Sequence, residues 1–206
     1  MASLAREWRA SIISKEEAWL GRLVQGWKTF EIGVGLLSAV FVYLDRVYSN
    51  EANGIGSIRE LSIATFRKGV WENELLMEKT RDEFLAWATE ERESTTSNTE
   101  LRPTISSLTA LAKLLCAFST LSQPYIDLTR SHYAEAASTN MSSVESGTMS
   151  ATRYIEWTLQ KVDEERERAE ARVAPEIAEE AVKGVRSEAG EKIGKRIVRR
   201  GKLTDC

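Results

Sequence analysis

Residues able to carry out chemistry are few in this chain and lie far apart. It has one histidine, His132, so a second histidine for a metal cluster or a proton relay is lacking. The two cysteines, Cys116 and Cys206, are ninety residues apart without a Cys-x-x-Cys motif, which disfavours zinc and a disulfide framework. Gly54-Ile-Gly56 and Gly33-Val-Gly35 lack the lysine of a phosphate-binding loop. We therefore predict no enzyme, no catalytic residue, no cofactor, no metal and no small-molecule substrate.

The remaining acidic and thiol groups are predicted to be solvated or structural. Adjacent carboxylates occur at Glu90-Glu91 and Glu164-Glu165, and neighbours on a helix face different directions, so neither pair suits acid–base work on one substrate. We expect all four to be solvated charges. Cys116 lies in the apolar run LAKLLCAF and is expected to be a small buried residue.

A group of residues at the end of the most apolar segment is suited to binding another protein. Tyr43, Arg46, Val47 and Tyr48 lie close together in the chain, and tyrosine and arginine are enriched in interface hot spots. The same residues could instead pack in the core, with Asp45 forming a salt bridge at the helix end. The sequence leaves both interpretations open.

The segment that carries this group is predicted to be a helix with a wide apolar arc. From Ile32 to Leu44 there are 13 residues without a charge, too few to span a bilayer. We expect a helix from about Glu31 to Asn50 that is surrounded by other helices, because two stripes at helical spacing lie side by side. The stripes are Val34, Leu37, Phe41, Leu44 and Tyr48, and Leu36, Val40, Tyr43 and Val47. The predicted core includes Leu37, Phe41, Leu44, Leu61, Phe66, Leu111 and Leu115.

Start signals place further helices along the chain. Capping boxes occur at Ser14–Glu17 and Ser57–Glu60, and Pro103 and Pro124 are interpreted as first-turn prolines. The residues from 74 to 93 read as another helix. A charged helix from Ala151 carries a narrow apolar stripe of Ile155, Leu159, Val162, Ala169 and Val173. Neither strand alternation nor a hairpin signal occurs, so the predicted fold class is all-α.

The predicted organisation has four parts. A helical bundle covers residues 1–137, and a Ser- and Thr-rich linker or loop covers 138–150. A long charged helix over 151–183 starts a second repeat, and a basic tail over 184–206 is expected to be frayed or disordered.

Composition and charge limit the partners. The net charge is −3, and the seven Lys and Arg residues from Arg186 to Lys202 have no interleaved aromatic residues, so neither nucleic acid nor a membrane is expected. The first ten residues carry charges and lack the apolar core of a signal peptide. We therefore expect a cytoplasmic or nuclear location.

Three segments in order carry a family resemblance. They are Tyr43-Leu-Asp-Arg-Val-Tyr48, which follows Trp27 and precedes Ile58–Val70; Tyr125-Ile-Asp-Leu-Thr-Arg-Ser-His-Tyr133; and Tyr154-Ile155 with Glu164-Glu165 and Arg168. Together they resemble the N-terminal, cullin-repeat region of cullins, the scaffolds of multi-subunit ubiquitin ligases, and are closest to the subtype that carries BTB-domain adaptors. The resemblance covers roughly Trp19 to Val173.

Departures from the family pattern occur within this region and at both ends. His132 stands where cullins have an aromatic residue, and Ala136-Ala137 replaces the usual Glu-Ser. Cullins have a further pair of helices before the segment equivalent to Trp19–Trp27, whereas 18 residues precede Trp19 here, and the sequence after about Lys183 does not resemble a cullin. The chain thus resembles a truncated or degenerate cullin.

The resemblance implies a fold, a function and a partner. The fold is a cullin-repeat-like helical bundle or solenoid with a long charged C-terminal helix, and the function is that of a non-catalytic scaffold or binding module in ubiquitin-ligase assembly. In cullins the helix end equivalent to Tyr43, Arg46, Val47 and Tyr48 faces the adaptor, which implies weak binding of a BTB-type or Skp1-like adaptor here. The alternative is a structural helical-bundle protein of tethering type without a ubiquitin role.

Overall fold

The computed structural model describes residues 19–48, 56–93 and 101–191. These residues form eight α-helices and no strand, which confirms the all-α prediction. The helices are α1 (Trp19–Val40), α2 (Val42–Tyr48), α3 (Ile58–Phe66), α4 (Glu74–Glu93), α5 (Arg102–Leu114), α6 (Ser119–Glu145), α7 (Ala151–Arg168) and α8 (Pro175–Val185). Wider π-helical turns follow α3, α7 and α8, over Arg67–Trp71, Ala169–Val173 and Arg186–Glu191. The Ser14 capping box and the polar loop predicted over 94–99 lie outside the described residues.

The chain divides into two compact units between Phe118 and Ser119, not at residue 137 as predicted. The predicted linker over 138–150 is wrong for most of its length, because α6 continues to Glu145 and a turn covers only 146–150. Its hydroxyls bond back to carbonyls one turn earlier, as Ser142 Oγ does to Ser138 O at 3.1 Å. Ala137 and Met141 are buried along the same helix, and this packing overrides the low helix propensity of the serines.

Other predicted boundaries also differ from the structure. Helix α6 begins at Ser119, before Pro124, which lies inside the helix. The segment predicted as helical over 151–183, with a kink or restart expected at Pro175, is interrupted there: Ala174 is extended, and Pro175 begins α8 in the first-turn position. The predicted frayed tail is ordered at its start, where Val185 and Ala189 are buried; residues 192–206 lie outside the described part.

Unit 1 is built around the first half of α1. Its buried residues face α3, α4 and α5, and they are Trp19, Leu20, Leu23, Val24 and Trp27. The Trp19 indole donates a hydrogen bond of 2.9 Å to Thr80 Oγ1, so the polar atom of a buried tryptophan is satisfied. Trp27 meets Phe66 edge to face, with ring centroids 4.8 Å apart. Phe66, Leu111 and Leu115 are buried as predicted.

The second half of the apolar segment is not surrounded by helices in the described structure. Four predicted core residues, Leu37, Phe41, Leu44 and Leu61, are exposed, so that part of the core prediction is wrong. Val34 is buried, and it lies on the side of α1 that faces the pocket beside α3. The apolar side of this segment is wider than the part of it that the neighbouring described helices cover, so several of its apolar side chains are exposed.

Unit 2 encloses a carboxylate that was predicted to be solvated. Glu165 on α7 is fully buried, and it accepts hydrogen bonds from Tyr125 Oη at 2.8 Å and Tyr133 Oη at 3.1 Å, both on α6. The Arg168 guanidinium pairs with the same carboxylate. Thr129 Oγ1 lies 3.5 Å from Glu165 Oε1. Two phenols and one cation thus replace the water that burial removes.

The environment of this pair favours the charged form of Arg168. Burial alone would lower the pKa of the Arg168 guanidinium, but the charge of Glu165, together with Tyr133, raises that pKa above its ordinary value. Glu164, the neighbour of Glu165, stays partly exposed and contacts Lys161 Nζ at 2.6 Å.

A second carboxylate predicted to be solvated is buried in unit 1. Glu91 is buried and lies 3.5 Å from Arg102 Nη2, whereas Glu90 is exposed.

The apolar stripe predicted on the charged helix of unit 2 differs from the structure at its start. Ile155 and Leu159 are exposed, while Val162, Ala169 and Val173 are buried.

Cys116 was predicted to be buried, but it is exposed and has a left-handed backbone with φ of 51°. It ends α5 in a Schellman motif, in which Cys116 N donates to Lys113 O and Ala117 N donates to Ala112 O, each at 2.9 Å. Glycine usually occupies this position because it lacks the Cβ that makes the left-handed region unfavourable.

We predict that Cys116→Gly raises the free energy of unfolding by about 0.5–1 kcal/mol, since the left-handed penalty exceeds the extra backbone entropy of glycine. Cys116→Ala is the matched control, because it removes the thiol but keeps Cβ. Urea denaturation of both variants measures the difference. Equal stability of the two would contradict the backbone explanation.

We predict that Glu165→Gln destabilises the protein by about 3–5 kcal/mol, because it leaves the Arg168 charge without its partner in a nearly buried position. Glu164→Gln, one residue away and partly exposed, should cost no more than about 1 kcal/mol. Thermal and urea unfolding followed by circular dichroism test the contrast. A loss of similar size in both variants would show that the buried carboxylate has no special role.

Candidate functional site

Nine large apolar side chains form one exposed surface on α1 and α2, called here the α1–α2 face. Single exposed apolar residues are normal on a protein, but a contiguous group of this kind marks an interaction site. The face consists of Ile32, Leu36, Leu37, Val40, Phe41, Val42, Tyr43, Leu44 and Val47. It contains no charged residue between Glu31 and Asp45.

The predicted site residues lie at the C-terminal end of this face. Tyr43 is 75% exposed and Val47 is 48% exposed, so neither side chain is packed in a core formed by the described residues. Arg46 is also exposed. Tyr48 is the last residue of α2, and its side chain lies outside the described part of the structure.

Backbone hydrogen bonds carry α1 into α2 almost without interruption. Phe41 N donates to Leu37 O and Asp45 N donates to Phe41 O, each at 2.9 Å, so the helical bonding pattern continues across the junction at Phe41. The face therefore runs along one nearly continuous helix.

Asp45 fixes the end of α2 against the start of α3. Its Oδ1 accepts a 2.8 Å hydrogen bond from Ile58 N, one of the backbone donors that a helix start leaves unsatisfied. One of the two interpretations that the sequence leaves open gives Asp45 a salt bridge at its own helix end, and neither gives it this role. An acidic residue twelve positions before the Ser57 capping box is the sequence signal that could have indicated it.

The capping box at Ser57 is present as predicted. Ser57 Oγ accepts from Glu60 N at 3.2 Å, and Glu60 Oε2 accepts from Ser57 N at 2.8 Å. The bond from Ser57 N, and a second one that the Ser57 hydroxyl donates to Glu60 Oε2 at 3.0 Å, hold the pKa of the Glu60 carboxyl below its ordinary value. Ser57 and Asp45 together thus satisfy the first donors of α3 and determine where α2 ends.

The pocket beside this face suits a small ligand poorly. It lies between α1 and α3 and contains about 210 Å³ of empty space, part of it open solvent, which is below the usual range for ligand sites. Its lining is Trp27, Phe30, Glu31, Val34, Arg59, Ser62 and Ile63. In the described part of the chain, no group of three metal-binding side chains occurs and no helix is long and apolar enough to cross a membrane.

We predict that Ser57→Ala destabilises the protein at pH 7 by about 0.5–2 kcal/mol, the usual cost of removing an N-cap serine. A carboxyl whose pKa is lower in the folded than in the unfolded state stabilises the folded protein at pH values above its unfolded-state pKa. This stabilisation is lost as the pH falls through the folded-state pKa. The effect should therefore be smaller at pH 3 than at pH 7. Ser106→Ala, at an exposed position within α5, is the control and should be nearly neutral. A Ser57→Ala effect that is independent of pH would contradict the coupling to Glu60.

Comparison with known proteins identifies the fold. The family model of the cullin alpha solenoid domain matches residues 1–201, which extends beyond the Trp19–Val173 range of the sequence resemblance at both ends. Cullin-3 of Schizosaccharomyces pombe (strain 972 / ATCC 24843) is 27% identical over 182 residues, covering 85% of this chain. The chain spans 22% of the length of that relative. The match over nearly the whole sequence, together with the all-helical structure, means that this chain belongs to the cullin family.

Proposed function

We propose that this chain is a non-catalytic binding module of ubiquitin-ligase assembly that binds an adaptor through the exposed end of the α1–α2 face. The contact residues are Tyr43, Arg46, Val47 and Tyr48, and the adaptor is of the BTB or Skp1-like class. In this role the chain acts as a scaffold or binding module, in the cytoplasm or nucleus. The exposure of Tyr43 beside Val47 is the observation that carries the proposal.

The chemistry of this surface matches what a protein interface requires. Tyr43 offers a large rigid ring with a polar tip, and aromatic residues of this kind dominate the binding energy of protein interfaces. Arg46 adds a charge at the edge, where it can select the orientation of the partner. The apolar surface that continues toward Leu36 supplies area that excludes water around the tyrosine.

The surface is held firmly enough to serve as a recognition site. The hydrogen bond from Ile58 N to Asp45 joins α2 to α3, and Phe66 at the end of α3 packs on Trp27 of α1. The helical bonding that continues from α1 and the hydrogen bond to α3 thus position α2, whose described side chains are all exposed or half-buried. The family membership and the relationship to a Cullin-3 support an adaptor as the partner.

We predict that Tyr43→Ala weakens adaptor binding about ten- to hundredfold, a loss of about 1–3 kcal/mol, and leaves the melting temperature nearly unchanged because the ring is exposed. Isothermal titration calorimetry against a panel of BTB and Skp1-like adaptors provides the measurement. Leu75→Ala, which removes an equally exposed side chain from α4, is the matched control and should bind as the wild type does.

The absence of heat and of co-migration at about 100 μM protein, well above a micromolar dissociation constant, would refute the adaptor proposal. The structural, tethering-type role would then be the remaining interpretation. If Leu75→Ala weakened binding as much as Tyr43→Ala, the adaptor would bind at a different surface from the one proposed.

A further inference from the structure

A row of exposed carboxylates, called here the acidic row, lies along the outer side of α7 and the turn that follows it. Its members recur at spacings of seven, four and three residues, which place them on one side of the helix, and they are Glu156, Asp163, Glu167 and Glu170. Within the described part of the chain none of them forms a salt bridge, because Lys161 and Arg168 pair with other carboxylates. Arg166 lies beside the row and is half-buried. Like charges three or four positions apart on a helix repel each other, so the row favours a cationic partner.

Two exposed apolar side chains border the acidic row. Ile155 is 55% exposed and Leu159 is 60% exposed, and they lie four positions apart on the flank of the same helix. The outer side of α7 therefore combines negative charge with a small apolar edge. This chemistry fits a basic segment that also carries a few aliphatic side chains.

We propose that the chain's own residues 192–202, called here the basic segment, bind the outer side of α7. The basic segment lies outside the described residues, and its sequence KIGKRIVRRGK contains six Lys and Arg and no acidic residue. Its cations neutralise the acidic row, and the aliphatic residues among them contact Ile155 and Leu159. The aliphatic residues are Ile193, Ile197 and Val198. Charge and apolar character thus both match between the two surfaces.

The described structure holds the chain beside α7 shortly before the basic segment begins. Tyr154 Oη donates a 2.7 Å hydrogen bond to Ala189 O, and Ala189 is fully buried, so the chain is fixed at the first turn of α7 three residues before Lys192. From Tyr154 to Glu170 the helix extends about 24 Å, whereas the eleven residues of the basic segment reach up to about 36 Å when extended. The basic segment is therefore long enough to cover the whole acidic row.

This attachment favours the basic segment over a cationic segment of another protein. A tethered partner has an effective concentration in the millimolar range, which offsets the small contribution of each exposed ion pair. The family model extends to residue 201, so nearly all of the basic segment belongs to the matched region. A basic segment of another protein can bind this side of α7 only by displacing it. The interaction is independent of the proposed adaptor binding, because it involves α7 and requires no adaptor.

Limited digestion of the full chain with trypsin tests the proposal, because trypsin cleaves after Lys and Arg. An isotope-labelled peptide of the same tail sequence, digested in the same tube, is the unbound standard, and mass spectrometry follows cleavage after Lys192 and Lys195. At low salt these sites should be cleaved about tenfold more slowly in the chain than in the peptide, since proteolysis follows the population of the released form. At about 0.5 M NaCl the two rates should converge, because salt screens exposed charges.

Charge reversal identifies the surface that the basic segment contacts. Asp163→Lys with Glu167→Lys should abolish the protection at low salt. Adding Arg196→Glu with Arg199→Glu should restore it, because the paired charges are then exchanged. The control, Glu78→Lys with Glu90→Lys, makes the same change in net charge at exposed positions on α4 and should keep the protection.

Three results would overturn the proposal. They are equal cleavage of chain and peptide at low salt, loss of protection in the α4 control as well, and protection that survives the reversal on α7. Circular dichroism of each variant verifies that it is folded. Adaptor titrations with Tyr43→Ala measure a different surface, so the proposed function stands or fails separately.

Discussion

The burial of the first half of α1 is the constraint on which unit 1 depends. Trp19 is held by Thr80 of α4, and Trp27 packs on Phe66 at the end of α3. Because α3 is fixed at that end, its capped start determines where Asp45 and therefore α2 lie. The first half of α1 is buried in this core, and the second half extends beyond it. The apolar side chains of the second half are therefore exposed.

Local sequence signals predicted the helices and their ends better than they predicted which side chains are buried. The capping box at Ser57, the first-turn Pro103 and the bounds of α4 depend on neighbouring residues, and the structure contains them. The exposure of Leu37 and Phe41 depends on whether another helix covers that side of α1. Hydrophobic periodicity shows that this side is apolar, but it does not show whether another helix packs on it. The candidate site residues could therefore be proposed from their types and their place at a helix end, while the exposure of the residues around them required the structure.

Burial of charge escaped the sequence analysis for the same reason. The donors that satisfy Glu165 include Tyr125 and Tyr133, which lie 40 and 32 residues earlier in the chain. The one local signal is its spacing: Glu165 lies three residues after Val162 and four before Ala169 of the predicted apolar stripe, whereas Glu164 lies off that stripe. Two of the three motifs that carried the family resemblance, around Tyr125–Tyr133 and Glu164–Arg168, are the two halves of this cluster, so their joint occurrence has a physical cause.

The Glu165 cluster also determines how α6 and α7 align. Apolar contacts such as that of Tyr133 with Val162, Val182 and Val185 tolerate small sliding, since one aliphatic group replaces another at little cost. The Glu165 carboxylate does not tolerate such sliding. A slip of one helical turn, about 5.4 Å, would move both phenolic donors out of its reach and leave its charge buried. The cluster thus specifies the register of α6 and α7 within unit 2. Shifted alignments of these two long helices would keep much of their apolar contact but would leave the Glu165 charge buried without its donors.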